Sequence, residues 1–297
     1  MSKEFKGNFC LLLAAVIWGA AFVAQSVSTE YVGAFTFQCV RSLLGCLVLL
    51  PVIAVIDRRN GAPAKSHTKQ EHKLLWQGGI ACGVILFIAS NLQQFGISET
   101  SAGKAGFITA LYIVLVPVAG LFFHKKAGWN VWCGVLLAAC GLYLLCVTEG
   151  FSIARGDFLV FLCSVAFTAH ILVIDHFSDK VDGVRMSCIQ FLVNSILSGI
   201  CMFLFESPKP AAILDCWLPI AYAGILSCGV GYTLQIVGQK FTRPTIASLL
   251  MSFESVFAVI FDWLILHSGF SLREIGGCIL MFAAIILAQL PAKKATE

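Results

Sequence analysis

LQQFGISETSAGKA (92–105) and LQIVGQKFTRPTIA (234–247) stand 142 residues apart and share five of fourteen positions: Leu92/Leu234, Gln93/Gln235, Gly96/Gly238, Thr100/Thr242 and Ala105/Ala247. The offset runs without a gap from Leu92 to Leu145, with Val114 matching Val256 and Gly134 matching Gly276. Identity is low for so apolar an alphabet, so the weight falls on segment boundaries, which coincide across the whole offset. At the front of each half Gly7-Asn8-Phe9 parallels Gly156-Asp157-Phe158, and a longer linker, 57–73, separates helices of the first half.

A bilayer core takes about 20 mostly apolar residues per helical span. Ten segments meet that length: 7–26, 33–56, 74–97, 102–123, 128–148, 156–176, 184–205, 215–238, 244–266 and 270–290. Runs such as Cys10 to Val16 and Ile279 to Leu287 do not alternate apolar with polar residues, which excludes transmembrane strands. The chain is 59% hydrophobic and 12% charged, and the spans leave no room for a soluble domain. Five spans per half is an odd number, so duplicated halves must cross the membrane in opposite senses. The expected fold is an all-α integral membrane protein of ten transmembrane helices in two inverted-topology five-helix repeats, 1–148 and 149–297. Secondary transporters use that architecture repeatedly.

Lys3 and Lys6 precede an apolar run with Gly19-Ala20-Ala21 behind it, which imitates a secretory signal. Cleavage there would leave nine spans and break the five-plus-five pattern, so the first helix is expected to stay. Basic residues set the orientation. With the N-terminus inside, cytoplasmic segments carry Lys3, Lys6, Arg58, Arg59, Lys65, Lys69, Lys73, Lys125, Lys126, Lys180, Arg185, Lys240, Arg243, Lys293 and Lys294. The other side carries only Lys104, Arg155, Lys209 and Arg273. Both termini are therefore expected to be cytoplasmic, in a multi-pass protein of the cell membrane. The net charge of +4 fits insertion and anionic lipid and gives no reason to expect nucleic acid. Thirteen cysteines form no C-x-x-C pair and lie mostly single in apolar spans, as small hydrophobes do, so neither a metal nor another cofactor is expected.

Longer motifs carry a family resemblance. Ile17-Trp18-Gly19 with Phe22, Arg41 after Phe37, TSAGKAGFITALYIVLVP (100–117), TRPTIASLLMSFESVFAVI (242–260) and GGCILMFAAIILAQL (276–290) resemble the drug/metabolite transporter superfamily. The similarity is to its EamA-type members and covers nearly the whole chain. Two features depart from that pattern: His124-Lys125 and His267-Ser268 stand where members often carry Gly-Glu, and Ser255 replaces a frequent Pro. The resemblance implies a cavity lined by helices 1, 3, 4, 6, 8 and 9, with helices 5 and 10 peripheral.

Ionisable and polar groups inside apolar spans are costly and tend to face a cavity or a partner. Glu254, near the centre of helix 9, reads as a proton- or cation-handling carboxylate or as a structural one. Arg41 lies about 5 Å outward of the centre of helix 2 at 1.5 Å per residue. It suits a substrate carboxylate or phosphate, an internal partner such as Glu254, or snorkelling. Lys104 opens helix 4 against the helix dipole, facing Glu99, a carboxylated solute or solvent. His170 could titrate or bond a neighbouring helix. Helix 7 places Ser187, Gln190, Asn194 and Ser198 on one face, which the resemblance assigns to packing or a minor wall. The expected cavity lining is Trp18, Phe22, Asn91, Gln94, Tyr112, His170, Tyr232, Gln235 and Glu254, with Arg41 and Lys104 as charge partners.

There is no G-x-x-x-x-G-K-[ST], H-E-x-x-H or G-x-S-x-G, so transport driven by a gradient is expected and enzymatic chemistry is not. The sequence favours a secondary exporter of amino acids or similar polar metabolites, working by alternating access. A nucleotide-sugar or sugar-phosphate exchanger is disfavoured by the few intramembrane cations, and a non-transporting scaffold or receptor by the polar groups at helix centres. Expected partners are a small-molecule substrate and the bilayer; proton coupling and a homodimer stay open. Reporter fusions at residue 65 and at the C-terminus should both report cytoplasmic; either one outside the cell contradicts the orientation.

Overall fold

In the computed structural model the described residues are 2–59, 69–100, 102–122, 128–146, 154–266 and 272–289. Among them every regular element is helical: α1 Lys3–Ser28, α2 Ala34–Arg59, α3 Lys69–Ile97, α4 Ala102–Thr109, α5 Tyr112–Phe122, α6 Trp129–Cys146, α7 Arg155–Ser178 and α8 Gly183–Phe205. The chain continues through α9 Pro210–Asp215, α10 Trp217–Ala221, a π-helical segment Tyr222–Tyr232, α11 Thr233–Gln239, α12 Pro244–Met251, α13 Glu254–Leu266 and α14 Leu272–Gln289. Seven of the described helical stretches are long and apolar enough to cross a bilayer, and three apolar helices are shorter. His124-Lys125 and His267-Ser268 lie outside the described residues.

Helix starts follow local chemistry. Ser2 Oγ accepts from Phe5 N at 3.1 Å, Asp182 Oδ1 accepts from Arg185 N at 2.9 Å, and Pro244 opens α12 where its missing N–H costs nothing. The spans expected as continuous helices over 102–123 and 244–266 are each interrupted. The interruptions fall at Ala110–Leu111 and Ser252–Phe253, again 142 residues apart. Backbone bonds tighten there from four residues to three, as in Ile113 N to Ala110 O at 3.0 Å and Ser255 N to Ser252 O at 3.1 Å. Hydrophobic periodicity is insensitive to such a one-turn tightening, so the sequence showed each pair as a single span.

Helices of the two halves interdigitate. The first-half helix α1 packs on α11, the π segment and α13, while the second-half helix α7 packs on α3, α4 and α5. A Cβ on Gly238 would lie 3.0 Å from the Gly7 carbonyl oxygen and 2.7 Å from Leu11 Cγ, so α11 and α1 touch backbone to backbone. A Cβ on Gly96 would lie 3.0 Å from the Gly156 carbonyl oxygen and would overlap Val160, giving α3 and α7 the same kind of contact. Beside the first crossing Thr242 Oγ1 donates to Asn8 Oδ1 at 3.0 Å; beside the second Thr100 Oγ1 donates to Asp157 Oδ1 at 2.9 Å. Small residues at helix contacts are the usual means of close approach in lipid.

α2 and α8 run antiparallel against each other. Cys46 and Cys188 meet Sγ to Sγ at 3.5 Å, and Ser195 Oγ donates to the Cys39 carbonyl at 3.1 Å. At one end of the pair the Glu206 carboxylate accepts from Phe35 N at 2.9 Å, Thr36 N at 2.8 Å and Thr36 Oγ1 at 2.6 Å. At the other end Arg185 Nη2 meets Asp57 Oδ1 at 2.6 Å. α6 and α14 form a further antiparallel pair in which Gly141 faces the Gly277 carbonyl.

The surface is largely apolar, and the interior holds polar side chains among its apolar ones. Phe122, Trp129, Phe203, Leu204 and Phe205 are exposed, while Gln38, Ser42, Ser90, His170, Gln190 and Ser198 are fully buried. Gly96→Ala and Gly238→Ala should each lower stability by about 1–3 kcal/mol through overpacking. Gly106→Ala, with nothing within 4 Å of its added methyl, should cost nothing. Thermal unfolding in detergent checks the contrast.

Candidate functional site

A cavity opens where the two interrupted helices meet. α1 supplies Trp18, Ala21, Phe22 and Gln25; α2 supplies Arg41; α3 supplies Gln93. Thr109 and Tyr112 flank the first interruption, Met251 and Glu254 the second. Phe167 and Ile171 of α7, Ser227 and Tyr232 of the π segment, and Gln235 of α11 close the wall. Among the described residues α6, α8 and α14 contribute nothing to it.

The central contact joins the first residues of α5 and α13: Tyr112 Oη donates to Glu254 Oε1 at 2.9 Å. Both are buried, and 142 residues separate them. Beside Glu254, Ser255 Oγ donates to the Gly106 carbonyl at 3.2 Å and so ties α13 to α4. Trp18 tilts against Tyr232 with ring centroids 4.8 Å apart, and Phe191 meets Tyr232 edge-on at 5.5 Å. Gly231 makes that arrangement possible, because a Cβ there would lie 2.7 Å from Trp18 Nε1. The π-helical geometry, common at functional sites, leads directly into Tyr232. Tyr222 Oη donates to the Ile17 carbonyl at 2.9 Å and fixes α1 one residue before Trp18.

Of the residues expected from sequence, Trp18, Phe22, Tyr112, Tyr232, Gln235, Glu254 and Arg41 converge on the cavity. Asn91, Gln94 and His170 do not line it. Asn91 Nδ2 donates to the Phe87 carbonyl at 2.8 Å and to Ser198 Oγ at 3.2 Å. Gln94 Nε2 donates to the Gln25 carbonyl at 3.1 Å and Ser28 Oγ at 3.2 Å, bracing α1 from behind. His170 Nε2 pairs with Gln190 Oε1 at 3.0 Å. The polar face of α8 is a seam: Gln190 Nε2 donates to Ser187 Oγ at 3.4 Å, Asn194 Nδ2 to Ser42 Oγ at 2.9 Å, and Ser198 Oγ to Asn194 Oδ1 at 3.1 Å. The Lys104 side chain lies outside the described residues.

Arg41 does not pair with Glu254. Its Nε donates to Gln38 Oε1 at 2.7 Å, and its guanidinium carbon lies 5.4 Å from the Phe37 ring centroid. Among the described residues, three buried polar atoms in the wall have no partner: Trp18 Nε1, Gln25 Oε1 and Gln235 Oε1. Gln93, Thr109, Phe167, Ile171, Ser227 and Met251 were not among the expected lining residues. The internal offsets could have found three of them: Gln93 is the counterpart of Gln235 at 142, and Phe167 and Ile171 are those of Trp18 and Phe22 at 149.

Residues 5–147 and 154–290 each match the model of the EamA-like transporter family. An uncharacterized transporter of Archaeoglobus fulgidus is 28% identical over 289 residues, spanning 97% of this chain and 87% of its own. The uncharacterized transporter YoaV of Bacillus subtilis is 21% identical, over 93% of this chain and 94% of its own. A crystal structure of a protein 19% identical in sequence matches with a TM-score of 0.78 over 98% of this chain and 99% of that one. At that identity the likeness concerns fold alone.

Gly231→Ala should destabilise by about 1–3 kcal/mol, because the indole has to move. Adding Trp18→Ala should relieve most of that cost, giving a coupling above about 1 kcal/mol in a double-mutant cycle. Additive unfolding free energies would mean that the two residues do not press on one another.

Proposed function

The chain belongs to the EamA-like transporter family, and from that premise we propose a secondary exporter of amino acids or similar small polar metabolites. It is a multi-pass membrane protein by its family and its apolar helices. In this proposal ten spans form two inverted five-helix repeats in the cell membrane, with both termini cytoplasmic. The repeats rock about the cavity and open it to each side in turn. Support comes from contacts that recur at fixed offsets: Gly7/Gly238 with Gly156/Gly96, Asn8/Thr242 with Asp157/Thr100, and Asp57/Arg185 with Glu206/Thr36. The double family match points the same way.

The observation that carries the proposal is the Tyr112–Glu254 bond. It joins counterpart positions of the two halves, at both helix interruptions, inside the cavity. A carboxyl group so placed meets the solute and shifts its partners whenever either half moves. Interrupted helices meeting at a cavity are the usual site of substrate and ion binding in secondary transporters. Glu254 releases its proton inward as solute binds and takes one from outside after solute leaves, which couples export to inward proton flow. A nucleotide-sugar or sugar-phosphate exchanger fits less well, because Arg41 is the single cation in the described wall.

Glu254→Gln preserves volume and hydrogen-bonding capacity and removes the exchangeable proton. In proteoliposomes loaded with an amino-acid mixture, acidifying the external face should accelerate efflux through the wild type. The variant should fold, bind solute and show efflux independent of pH. If its efflux still rises with external acidity, Glu254 is not the coupling group.

A further inference from the structure

Arg41 carries a charge that no carboxylate among the described residues answers, with only the Phe37 ring 5.4 Å from its guanidinium carbon. Its side chain is 2% exposed, and the nearest polar partner is an amide: Nε donates to Gln38 Oε1 at 2.7 Å. Gln38 is itself held, with Nε2 donating to the Ser90 carbonyl at 2.9 Å, so the guanidinium is braced along its Nε edge. Among the described residues neither terminal nitrogen has a hydrogen-bond partner and no carboxylate lies within ion-pair distance. A buried charge without a counter-charge is expensive. Arg41 borders the cavity, so the space in front of its free edge is where a counter-charge can sit.

The same wall holds groups of opposite demand. Gln25 Oε1 and Gln235 Oε1 lack a donor, in residues 4% and 2% exposed, and Trp18 Nε1 lacks an acceptor. The occupant these atoms suit offers one anionic group and at least one N–H or O–H. A dianionic phosphate is a poor fit, with one guanidinium in the wall and Glu254 beside it.

We infer that Arg41 is the anion-binding residue of the cavity, taking one carboxylate of the transported solute end-on through Nη1 and Nη2 while Gln38 fixes its aim. This rests on the export proposal for its setting, though binding can be measured without transport. The two terminal nitrogens match the two oxygens of a carboxylate. Converting the carboxylate to a primary amide keeps the size and removes the charge, so solute amides are discriminated against. Arg41→Lys keeps the charge and loses the fork; Arg41→Gln loses both.

The test uses the full chain in detergent and matched probes: L-phenylalanine with L-phenylalaninamide and L-leucine with L-leucinamide. Binding is followed by thermal shift and calorimetry. At least one acid should bind the wild type about tenfold or more tightly than its amide, consistent with a charge-assisted bond. That preference should shrink in Arg41→Lys and vanish in Arg41→Gln. Amides binding as well as acids, a preference surviving in both variants, or no binding of either acid overturns the inference. If Arg41→Gln does not fold, Arg41→Lys and the wild-type acid-to-amide ratio still decide it. Flux of the same probes in proteoliposomes separates the two proposals. Acid binding without efflux removes the exporter and leaves the anion site, whereas equal efflux of acid and amide does the reverse.

Discussion

Lipid offers no hydrogen bonds, and that constraint governs where this chain can place a polar side chain. Many of the buried polar side chains here either bond another helix or border the cavity. The seam along α8 is the first outcome: Ser187, Gln190, Asn194 and Ser198 are satisfied by one another and by residues of α2, α3 and α7. The second outcome is the wall containing Trp18, Gln25, Arg41 and Gln235, where partners are incomplete. Full satisfaction makes the α8 seam structural, whereas the cavity wall keeps hydrogen-bonding capacity to spare.

Close approach at the glycine crossings makes such pairing possible. Asn8 reaches Thr242, and Asp157 reaches Thr100, because Gly7/Gly238 and Gly156/Gly96 let backbones touch. These are the positions at which the halves resemble each other in sequence, so the weak internal similarity reported real contacts. The halves differ elsewhere, and the differences show in the wall of the cavity. Tyr112 and Glu254 are counterparts, so the central bond joins a phenol to a carboxyl group rather than two like groups. At the offset of 149 that relates the early helices, Arg41 corresponds to Gln190 and Trp18 to Phe167, so one half supplies the cation and the indole.

Helix content, apolar spans and most of the cavity wall were legible in the sequence because burial of a charge or an indole in lipid leaves few options. Glu254 and Arg41 were found on that ground, while Trp18 and Tyr232 came from side-chain stripes on helices that the family resemblance places around a cavity. Asn91, Gln94 and His170 were placed with them because composition cannot tell an amide that faces a void from one that faces a hydroxyl. Ser198, Ser28 and Gln190 decide those cases, and each comes from another helix. The helix interruptions at Ala110 and Ser252 were illegible for another reason: tightening one turn leaves an apolar run apolar. Ser227 and Met251 needed the π segment and the second interruption to bring them inward.

The antiparallel pair α2 and α8 is fastened differently at its two ends, which lie roughly 30 Å apart at 1.5 Å per residue. At one end Glu206 grips two main-chain amides and a hydroxyl. At the other, Asp57 and Arg185 form an ion pair whose side chains are 39% and 24% exposed. Dissolved salt weakens an exposed ion pair far more than a carboxylate clasped by neutral backbone donors. The α2–α8 pair therefore answers its surroundings unequally, with ionic strength felt mainly at its Asp57 end.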